Sequence, residues 1–419
     1  MNISNIAESK ELCCGCGACA AVCPVQAVAL REDETGQPYP VIDGEKCTGC
    51  SLCTRVCCEN NAVPQVLPMK AMAASYRNQA VSARSSSGGI FAALAEAVLA
   101  DGGIVYGTSL DARFRAEVIG IESLSELPRL QGSQYVRSAM GKVYGEIKRE
   151  LDASRKVLFS GVPCQVAALK QYLRRDYANL LTVDIVCHGT PSNRMFLDYL
   201  QYMQEKEKRQ ITAFYFREKA AGRNLSGKPR YQQDHLGRVV YQQKRFGKTV
   251  SGQKYVKAFQ SSYYKLFLNC ASLRESCYQC KFAGPARTGD ITLCDYWGVD
   301  EVHPEFVKLV RAEGLSGISA VLINTEAGKA LIERIGDRLL QRETDYAEVR
   351  KHNPQLNHPS LRTKEHETVM ELYAARGYEA VDRYYFSRYR TKIILSTLGQ
   401  ALPDRTKKRM LAIKRKLIK

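Results

Sequence analysis

The sequence predicts a mixed fold, with a small α+β metal-binding domain, a larger α/β domain and a helical, basic C-terminal region. Ten of the sixteen cysteines fall between Cys13 and Cys58, so the start of the chain is organised around sulfur ligands. From about Val81 onward, helical segments alternate with short apolar runs, which is typical of a parallel sheet covered by helices. Residues 402–419 hold eight basic groups against the single acid Asp404.

Two cysteine runs at the start of the chain share one spacing, C-x2-C-x2-C-x3-C. This doubled spacing is typical of a dicluster ferredoxin, in which the fourth cysteine of each run binds the cluster of the other run. We expect two 4Fe-4S clusters. The ligands of the first are Cys13, Cys16, Cys19 and Cys57. The ligands of the second are Cys47, Cys50, Cys53 and Cys23.

Zinc is the main alternative for so many cysteines. Structural zinc sites pair two C-x2-C units across a longer spacer and have no use for three cysteines within seven residues, so iron-sulfur clusters are favoured. Cys14 and Cys58 stand next to expected ligands, and Cys58 occupies the place of the proline that follows the first run. We interpret both as small core side chains. Residues 1–62 then form the ferredoxin domain, and residues 63–80, which show no clear period, form a linker.

The larger domain is predicted from its alternating segments. Helices are expected over 87–100, 140–151, 164–174 and 194–204. Strands are expected over 104–108, 157–159 and 180–186. These elements make residues 81–200 an α/β region.

The following region, residues 201–340, begins with a basic stretch. Residues 217–257 hold eleven basic groups against Glu218 and Asp234 and are broken by glycines, which indicates hairpins and loops. A strand over 318–323 and a helix over 329–340 follow, and residues 341–419 are predicted to form a helical, basic tail.

Three polar, glycine-bearing loops are candidates for binding a nucleotide-like ligand. One precedes the first helix of the larger domain, where serine hydroxyls and glycine amides form an anion site. Another follows a strand, at the edge where open α/β sheets bind ligands. The candidate residues are Arg84, Ser86, Ser87, Gly88, Gly89, Gln131, Gly132, Ser133, Ser160 and Gly161. For the serine-glycine loop taken alone, a serine N-cap with glycine for close packing is an equally good explanation.

Four further cysteines are candidates for a third 4Fe-4S cluster. Cys164 and Cys187 each follow a predicted strand, whereas Cys277 and Cys280 form a C-x2-C pair on a predicted loop. Because strand ends meet at one edge of a sheet, the four thiols can converge there. The alternative is that they are buried thiols acting as small apolar side chains.

The net charge of +18 points to acidic partners or anionic ligands. No recognisable motif supports a specific nucleic-acid partner. The sequence shows no signal peptide and no apolar run long enough to span a bilayer, so we expect a cytoplasmic protein whose thiols stay reduced. The basic residues 402–419 would suit peripheral contact with a membrane.

An ordered set of motifs resembles the beta-subunit family of coenzyme F420 hydrogenase and dehydrogenase. The motifs are Ser86-Ser87-Gly88-Gly89-Ile90-Phe91, Gln131-Gly132-Ser133, the segments 158–165 and 184–189, Cys277-x2-Cys280 and the segment 289–298. The resemblance covers residues 1 to about 340, and the family joins a dicluster ferredoxin to a flavin domain. It implies FAD near the serine-glycine and Gln131 loops, and an additional cluster on cysteines of the flavin-binding domain.

The function that follows is that of an iron-sulfur flavoprotein oxidoreductase. A flavin accepts a hydride and releases its electrons singly, as clusters require. The expected partners are a hydride carrier, with coenzyme F420 as one candidate, and ferredoxin or a partner reductase subunit; no catalytic residue is predicted. The alternative is a non-catalytic electron-transfer or accessory subunit, of the kind that some relatives associated with polysaccharide biosynthesis suggest.

Overall fold

The computed structural model describes residues 6, 9–219, 236–246 and 248–401. The strands are β1 (Val28–Glu32), β2 (Pro38–Ile42), β3 (Lys70–Tyr76), β4 (Ile104–Leu110), β5 (Ala116–Ile121), β6 (Val157–Gly161), β7 (Leu180–Ile185), β8 (Gln210–Tyr215), β9 (Leu236–Arg245), β10 (Lys248–Lys257), β11 (Ile291–Asp295), β12 (Ser319–Ile323) and β13 (Leu339–Thr344). The helices are α1 (Ala18–Ala21), α2 (Leu52–Arg55), α3 (Gln79–Arg84), α4 (Ile90–Ala100), α5 (Val143–Asp152), α6 (Pro163–Leu173), α7 (Asn193–Glu207), α8 (Ser262–Leu268), α9 (Val299–Val302), α10 (Pro304–Ala312), α11 (Glu326–Arg334), α12 (Tyr346–Lys351) and α13 (Lys364–Ala401).

An eight-stranded sheet forms the centre, in the order β13-β3-β12-β11-β7-β6-β4-β5. The four strands β4, β6, β7 and β11 run parallel to their neighbours within this group. The outer strands on both sides pair in antiparallel fashion. Because the parallel strands point the same way, the loops that follow them gather at one edge of the sheet.

The two faces of the sheet bury alternate residues of each central strand. Val105 and Leu158 belong to an apolar core with α4 and α11 on one face. Tyr106 and Phe159, their neighbours in sequence, belong to a second core with α5 and α6 on the other face. This two-residue period is what a strand covered on both sides requires.

The N-terminal cysteine-rich segment is a small module that packs against the second face. Strands β1 and β2 pair in antiparallel fashion, and α1 and α2 each hold one cysteine of the two runs. Cys14, Ala18, Val56 and Cys58 are buried in the same apolar core as α5 and α6. Polar contacts also cross this boundary, since the Arg274 guanidinium donates hydrogen bonds to the carbonyls of Cys13 (2.6 Å) and Pro38 (3.0 Å).

A third core is rich in aromatic side chains. It is formed by α7, α8, α13 and the three-stranded sheet β10-β9-β8, with Phe196, Phe216, Tyr263, Tyr264 and Tyr385 fully buried. The helix α13 is broken at Gly377, whose φ of 71° is not helical. Within the described residues no helix combines the length and the apolar character needed to cross a membrane.

Two sequence-based predictions differ from the structure. The linker expected over residues 63–80 contains β3, an inner strand of the sheet. Strand β3 contains the buried small residues Ala71, Ala73 and Ala74. Because both faces of the strand are covered, its sequence shows no alternation of apolar and polar residues. The helix expected over 329–340 ends at Arg334, and Leu339 already begins the edge strand β13.

The structure describes only part of the two basic segments that the sequence shows. Strands β9 and β10 form the long antiparallel pair expected within residues 217–257. The rest of that basic stretch, residues 220–235 and 247, and the basic tail 402–419 lie outside the described residues.

Candidate functional site

A cavity of about 540 Å³ opens at the carboxyl ends of the four parallel strands. The end of each strand contributes to its lining: Thr108 from β4, Ser160 and Gly161 from β6, Ile185 from β7 and Asp295 from β11. A cavity of this size and place is the ordinary ligand site of an open α/β sheet.

The predicted glycine loops meet at this cavity. Ser133 donates its backbone N–H to Ser86 Oγ at 2.7 Å, and Gln131 Nε2 donates to Ser85 Oγ at 3.1 Å. The cavity lining includes Ser86, Ser87, Gly89, Gln131, Gly132, Ser133, Ser160 and Gly161. Two distant segments of sequence are therefore tied together by direct hydrogen bonds around one space.

Two of the predicted residues have a different place. Arg84 ends α3 and is exposed outside the cavity lining. Gly88 is buried behind the loop, where a Cβ would come within 2.4 Å of the Ala74 carbonyl oxygen. Gly88 is thus required for the close approach of the loop to the sheet, and it does not face the cavity.

A buried cation forms part of the opposite wall. The Arg217 guanidinium donates hydrogen bonds to Asp295 Oδ2 at 2.8 Å and to the Tyr135 hydroxyl at 3.1 Å, and it lies 5.9 Å from the centre of the Trp297 ring. Its side chain is only 7% exposed. No pattern in the sequence indicated this role, because Arg217 begins a run of basic residues that is typical of a solvated surface.

Lys219 is the second buried cation near this wall. Its ammonium group donates hydrogen bonds to the carbonyls of Ser82 and Ser87. Burial lowers the pKa of Lys219 to about 7, and the positive charge of Arg217 acts in the same direction. Lys219 therefore exchanges its proton near neutral pH in the folded protein.

The low pKa of Lys219 predicts a pH-dependent stability. Between about pH 7 and 10 the unfolded chain keeps the lysine proton that the folded chain has lost, so the contribution of this group to stability rises with pH. Replacing the lysine with methionine (Lys219→Met) should remove that rise, measured as the thermal unfolding midpoint at several pH values. Lys308→Met, at an exposed position, is the control. Equal pH profiles for the wild type and Lys219→Met would contradict the prediction.

A second, smaller cavity of about 40 Å³ holds the four cysteines that were predicted to converge. Cys164 lies in the first turn of α6, Cys187 follows β7, and Cys277 and Cys280 lie in and just after the short 3-10 helix Glu275–Gln279. Each thiol interacts electrostatically with at least one other member of the set. The strand-end argument made from the sequence therefore places these side chains around a common space.

The chemistry of this cavity fits an iron-sulfur cluster. Burial raises the pKa of Cys187 and of Cys280 to about 12, so metal binding must displace their protons. Arg137 is 6% exposed and lies 3.8 Å from Cys164 Sγ, yet its Nε and Nη2 atoms have no hydrogen-bond partner among the described residues. A buried guanidinium with two unpartnered nitrogen atoms is costly unless negative charge lies beside it. A cluster with four thiolate ligands supplies such charge.

The two cavities share a wall. Arg137, Val162, Cys187, Gly189 and Thr190 are among the residues that line both. A ligand in the larger cavity and a metal group on the four cysteines would therefore be neighbours, separated by one layer of side chains.

The N-terminal cysteines fall into an inner and an outer group. Cys19 interacts with Cys13, Cys53 and Cys57, and an apolar core of Ile6, Val28 and Ile42 surrounds this group. Cys50, by contrast, is exposed in its loop. Gly15, Gly17 and Gly49 adopt positive φ of 65°, 81° and 74°, which lets the loops curl around their cysteines as glycine alone does without strain.

Comparisons with known proteins match both parts of this arrangement. Residues 12–61 match the family of the 4Fe-4S dicluster domain, and residues 154–348 match the family that describes the C terminus of the coenzyme F420 hydrogenase/dehydrogenase beta subunit. The F subunit of the F420H2 dehydrogenase of Methanosarcina mazei is 25% identical over 202 residues, which cover 45% of this chain and 56% of that relative. The chain thus spans just over half the length of this relative.

One further relative and one solved structure match in part. The B subunit of the Na(+)-translocating ferredoxin:NAD(+) oxidoreductase complex of Acetobacterium woodii is 44% identical over 45 residues, 11% of this chain and 12% of the relative. A chain of the F420-reducing [NiFe] hydrogenase complex from Methanosarcina barkeri aligns with 76% of this chain and 91% of its own length, at 15% identity and a TM-score of 0.41.

Proposed function

The chain belongs to the coenzyme F420 hydrogenase/dehydrogenase beta-subunit family with an N-terminal 4Fe-4S dicluster domain, and we propose on this basis that it is an iron-sulfur flavoprotein passing electrons between a hydride carrier and its clusters. The observation that carries the proposal is the shared wall between the 540 Å³ cavity and the four-cysteine cavity. A site for a two-electron carrier and a site for a one-electron carrier lie side by side.

The larger cavity has the groups that a flavin nucleotide needs. Ser86 and Ser133 offer hydroxyls at one wall, and Gly132 carries a φ of 96° with no described atom within 4 Å of where its Cβ would stand. A phosphate-bearing ligand can therefore approach the backbone closely here. Bound FAD would supply the conversion of one hydride into two single electrons.

The opposite wall would offer a fixed cation to a bound ligand. Arg217 is fixed by Asp295 and Tyr135, so its guanidinium keeps one orientation toward the cavity. A fixed cation stabilises negative charge that develops on a bound ring, because the buried surroundings screen it weakly.

The cysteines are assigned to three clusters in this proposal. Cys13, Cys16, Cys19 and Cys57 hold the first, and Cys47, Cys50, Cys53 and Cys23 hold the second. Cys164, Cys187, Cys277 and Cys280 hold the third, next to the larger cavity. Cys50 is exposed, so a redox partner can approach the second cluster at this residue.

The positive charge of the chain indicates which kinds of molecule exchange electrons with it in this proposal. Lys244, Arg245 and Lys254 are among the basic side chains on β9 and β10, which belong to a chain of net charge +18. Such a surface attracts an anionic deazaflavin such as coenzyme F420, or the acidic face of a ferredoxin or another partner protein. Peripheral membrane contact through residues 402–419 remains an expectation, since they lie outside the described residues.

The experiment that tests the proposal starts from anaerobically purified protein. Three clusters would give about twelve irons per chain, and bound flavin would give its own absorption bands. Reduced deazaflavin, reduced nicotinamide and reduced ferredoxin are then mixed separately with the protein, and bleaching of the cluster and flavin bands is followed. Clusters without flavin, even after FAD is supplied, would instead identify a non-catalytic electron-transfer subunit.

Blocking the larger cavity should remove flavin and leave iron in place. Ser160 is the residue before the last one of β6 and lines the cavity, so the indole of Ser160→Trp would occupy the space of the ligand. We expect bound FAD to fall on the order of tenfold or more, an effect comparable to losing a well-placed binding group. The matched control is Ser125→Trp at an exposed position. Unchanged FAD content in Ser160→Trp would place the flavin elsewhere.

A further inference from the structure

Three sulfur atoms meet where the N-terminal module packs against the central domain. The Sγ atoms of Cys14, Cys16 and Cys58 all lie within 4.8 Å of one another, and those of Cys14 and Cys58 are 3.8 Å apart. Cys14 and Cys16 come from the first cysteine run, and Cys58 follows the second. The structure therefore joins two side chains that the run spacing leaves without a ligand role.

The same sulfur atoms reach across to the central domain. Cys14 lies within sulfur hydrogen-bonding reach of the Cys164 side chain, and Cys58 Sγ is 4.0 Å from the Cys164 carbonyl oxygen. Cys14 also lines the four-cysteine cavity together with Arg137. One pair of thiols thus touches Cys16, assigned above to the first cluster, and Cys164, assigned to the third.

The space around this pair is closed. Cys14 is 7% exposed and Cys58 is 0% exposed, and both belong to the apolar core that includes Val56 and Phe282. The sulfur atoms of Cys14 and Cys58 therefore fill the contact between the N-terminal module and the central domain, next to both Cys16 and Cys164.

We propose that Cys14 and Cys58 are positioning residues that couple the first cluster to the third, through the contacts of their sulfur atoms with Cys16 and Cys164. The inference rests on the proposed function, since it assumes clusters on both ligand sets. Electron transfer between buried carriers slows steeply as the gap between them widens, and a packed sulfur atom narrows that gap. No bond forms or breaks at either thiol: one electron would leave the third cluster, which is oxidised, and enter the first cluster, which is reduced.

The pair also acts on the cluster potentials. Contacts and hydrogen bonds to ligand sulfurs are among the factors that set the reduction potential of a cluster, and outer partners of a metal site tune it strongly. Cys58 stands where the first cysteine run has Pro24, and proline offers no thiol. Cys58 therefore adds a sulfur contact at the position that would otherwise be apolar.

A bound single metal ion is the competing occupant of this sulfur group. A spacing of 3.8 Å is close to the edge of a tetrahedral zinc site with four sulfur ligands, given zinc-sulfur bonds of about 2.3 Å. In this alternative Cys16 binds the single metal ion and is not a ligand of the first cluster, to which the cysteine spacing assigns it. Metal analysis separates the two arrangements.

The test compares the wild type with Cys14→Ala, Cys58→Ala and the double variant, all purified anaerobically. Iron content shows whether the clusters are kept. Chemical reduction by dithionite, followed by electron paramagnetic resonance at fixed potentials, then reports the cluster potentials and the spin coupling between clusters. These readouts do not depend on flavin, so they succeed or fail separately from flavin binding.

The expected result is a double variant that keeps its iron, shows a shifted potential for the first cluster and loses spin coupling between the first and third clusters. Electron transfer between them, followed after rapid mixing, should slow on the order of tenfold. Cys270→Ala is the matched control, because Cys270 contacts His188 and does not line the four-cysteine cavity. It should leave potentials and rates unchanged.

Three results would overturn the inference. The first is a double variant with full iron and with potentials, coupling and rates of the wild type. The second is a wild type that contains one zinc ion per chain, or one iron more than the clusters need, when Cys58→Ala lacks this metal ion and keeps its clusters. The third is loss of whole clusters in the serine variants Cys14→Ser and Cys58→Ser, which keep a polar group of similar shape, because that would make these residues ligands.

Discussion

Cys187→Ala is expected to lower the iron content from about twelve to about eight atoms per chain, because it removes one thiolate of the four that the central cavity offers to a 4Fe-4S cluster. Cys187 follows β7 and lies in the wall between the two cavities. Electrons from a reduced flavin would then have no neighbouring acceptor. Flavin should remain bound and become reduced, while the N-terminal clusters stay oxidised.

Iron analysis and flavin absorption of the anaerobically purified variant check this result. Cys270→Ala serves as the control, since Cys270 is likewise a partly buried thiol of the central domain but does not line the four-cysteine cavity. A wild type with only about eight irons would show that the four thiols are core side chains. Twelve irons in Cys187→Ala would move the third cluster to another ligand set.

Asp184→Asn is expected to destabilise the protein by about 3–5 kcal/mol, because it leaves the buried Arg287 guanidinium without its counter-ion. Asp184 is 0% exposed, and its carboxylate lies 3.0 Å from Arg287 Nη2. It also accepts hydrogen bonds from the backbone N–H groups of Thr288 (3.1 Å) and Gly289 (3.0 Å). The carboxylate therefore joins β7 to the segment that leads into β11.

The thermal unfolding midpoint, measured on anaerobically purified protein, checks the loss of stability. Iron content should fall as well, because the Asp184 contacts hold the chain from which Cys187 extends. Glu379→Gln is the matched control: it removes an exposed ion pair with Arg383, and such pairs contribute about 1 kcal/mol or less. If the unfolding midpoint of Asp184→Asn differed from that of the wild type by no more than the midpoint of Glu379→Gln does, the buried Asp184–Arg287 pair would be dispensable for stability.

Local patterns in the sequence predicted the parts of this protein that depend on neighbours in the chain. The cysteine spacing specifies loops that curl around a metal group, and the glycines at positive φ confirm the need for those residues. The alternation of apolar runs and helical segments predicted the parallel strands, and hence the edge at which the serine and glycine loops meet. The description of residues 12–61 and 154–348 by known families agrees with those patterns.

Other features were invisible because they depend on contacts between distant segments. Strand β3 has small residues and no alternating pattern, and only its pairing with β12 and β13 makes it part of the sheet. In the sequence, nothing distinguishes Arg217 from the other basic residues of its run. Its role depends on its hydrogen bonds to Asp295 and Tyr135, which lie far away in the chain.

The sequence by itself predicted which cysteines are candidates for binding iron, which loops are candidates for binding a nucleotide and which segments are strands of a parallel sheet, since each prediction rests on spacing along the chain. Only the tertiary structure decided that the two candidate sites share a wall, that Arg137 lies between them with two nitrogen atoms unpartnered among the described residues, and that Cys14 and Cys58 touch both ligand sets. The physical reason is that burial and the proximity of residues far apart in the chain arise from packing, and no local period encodes them.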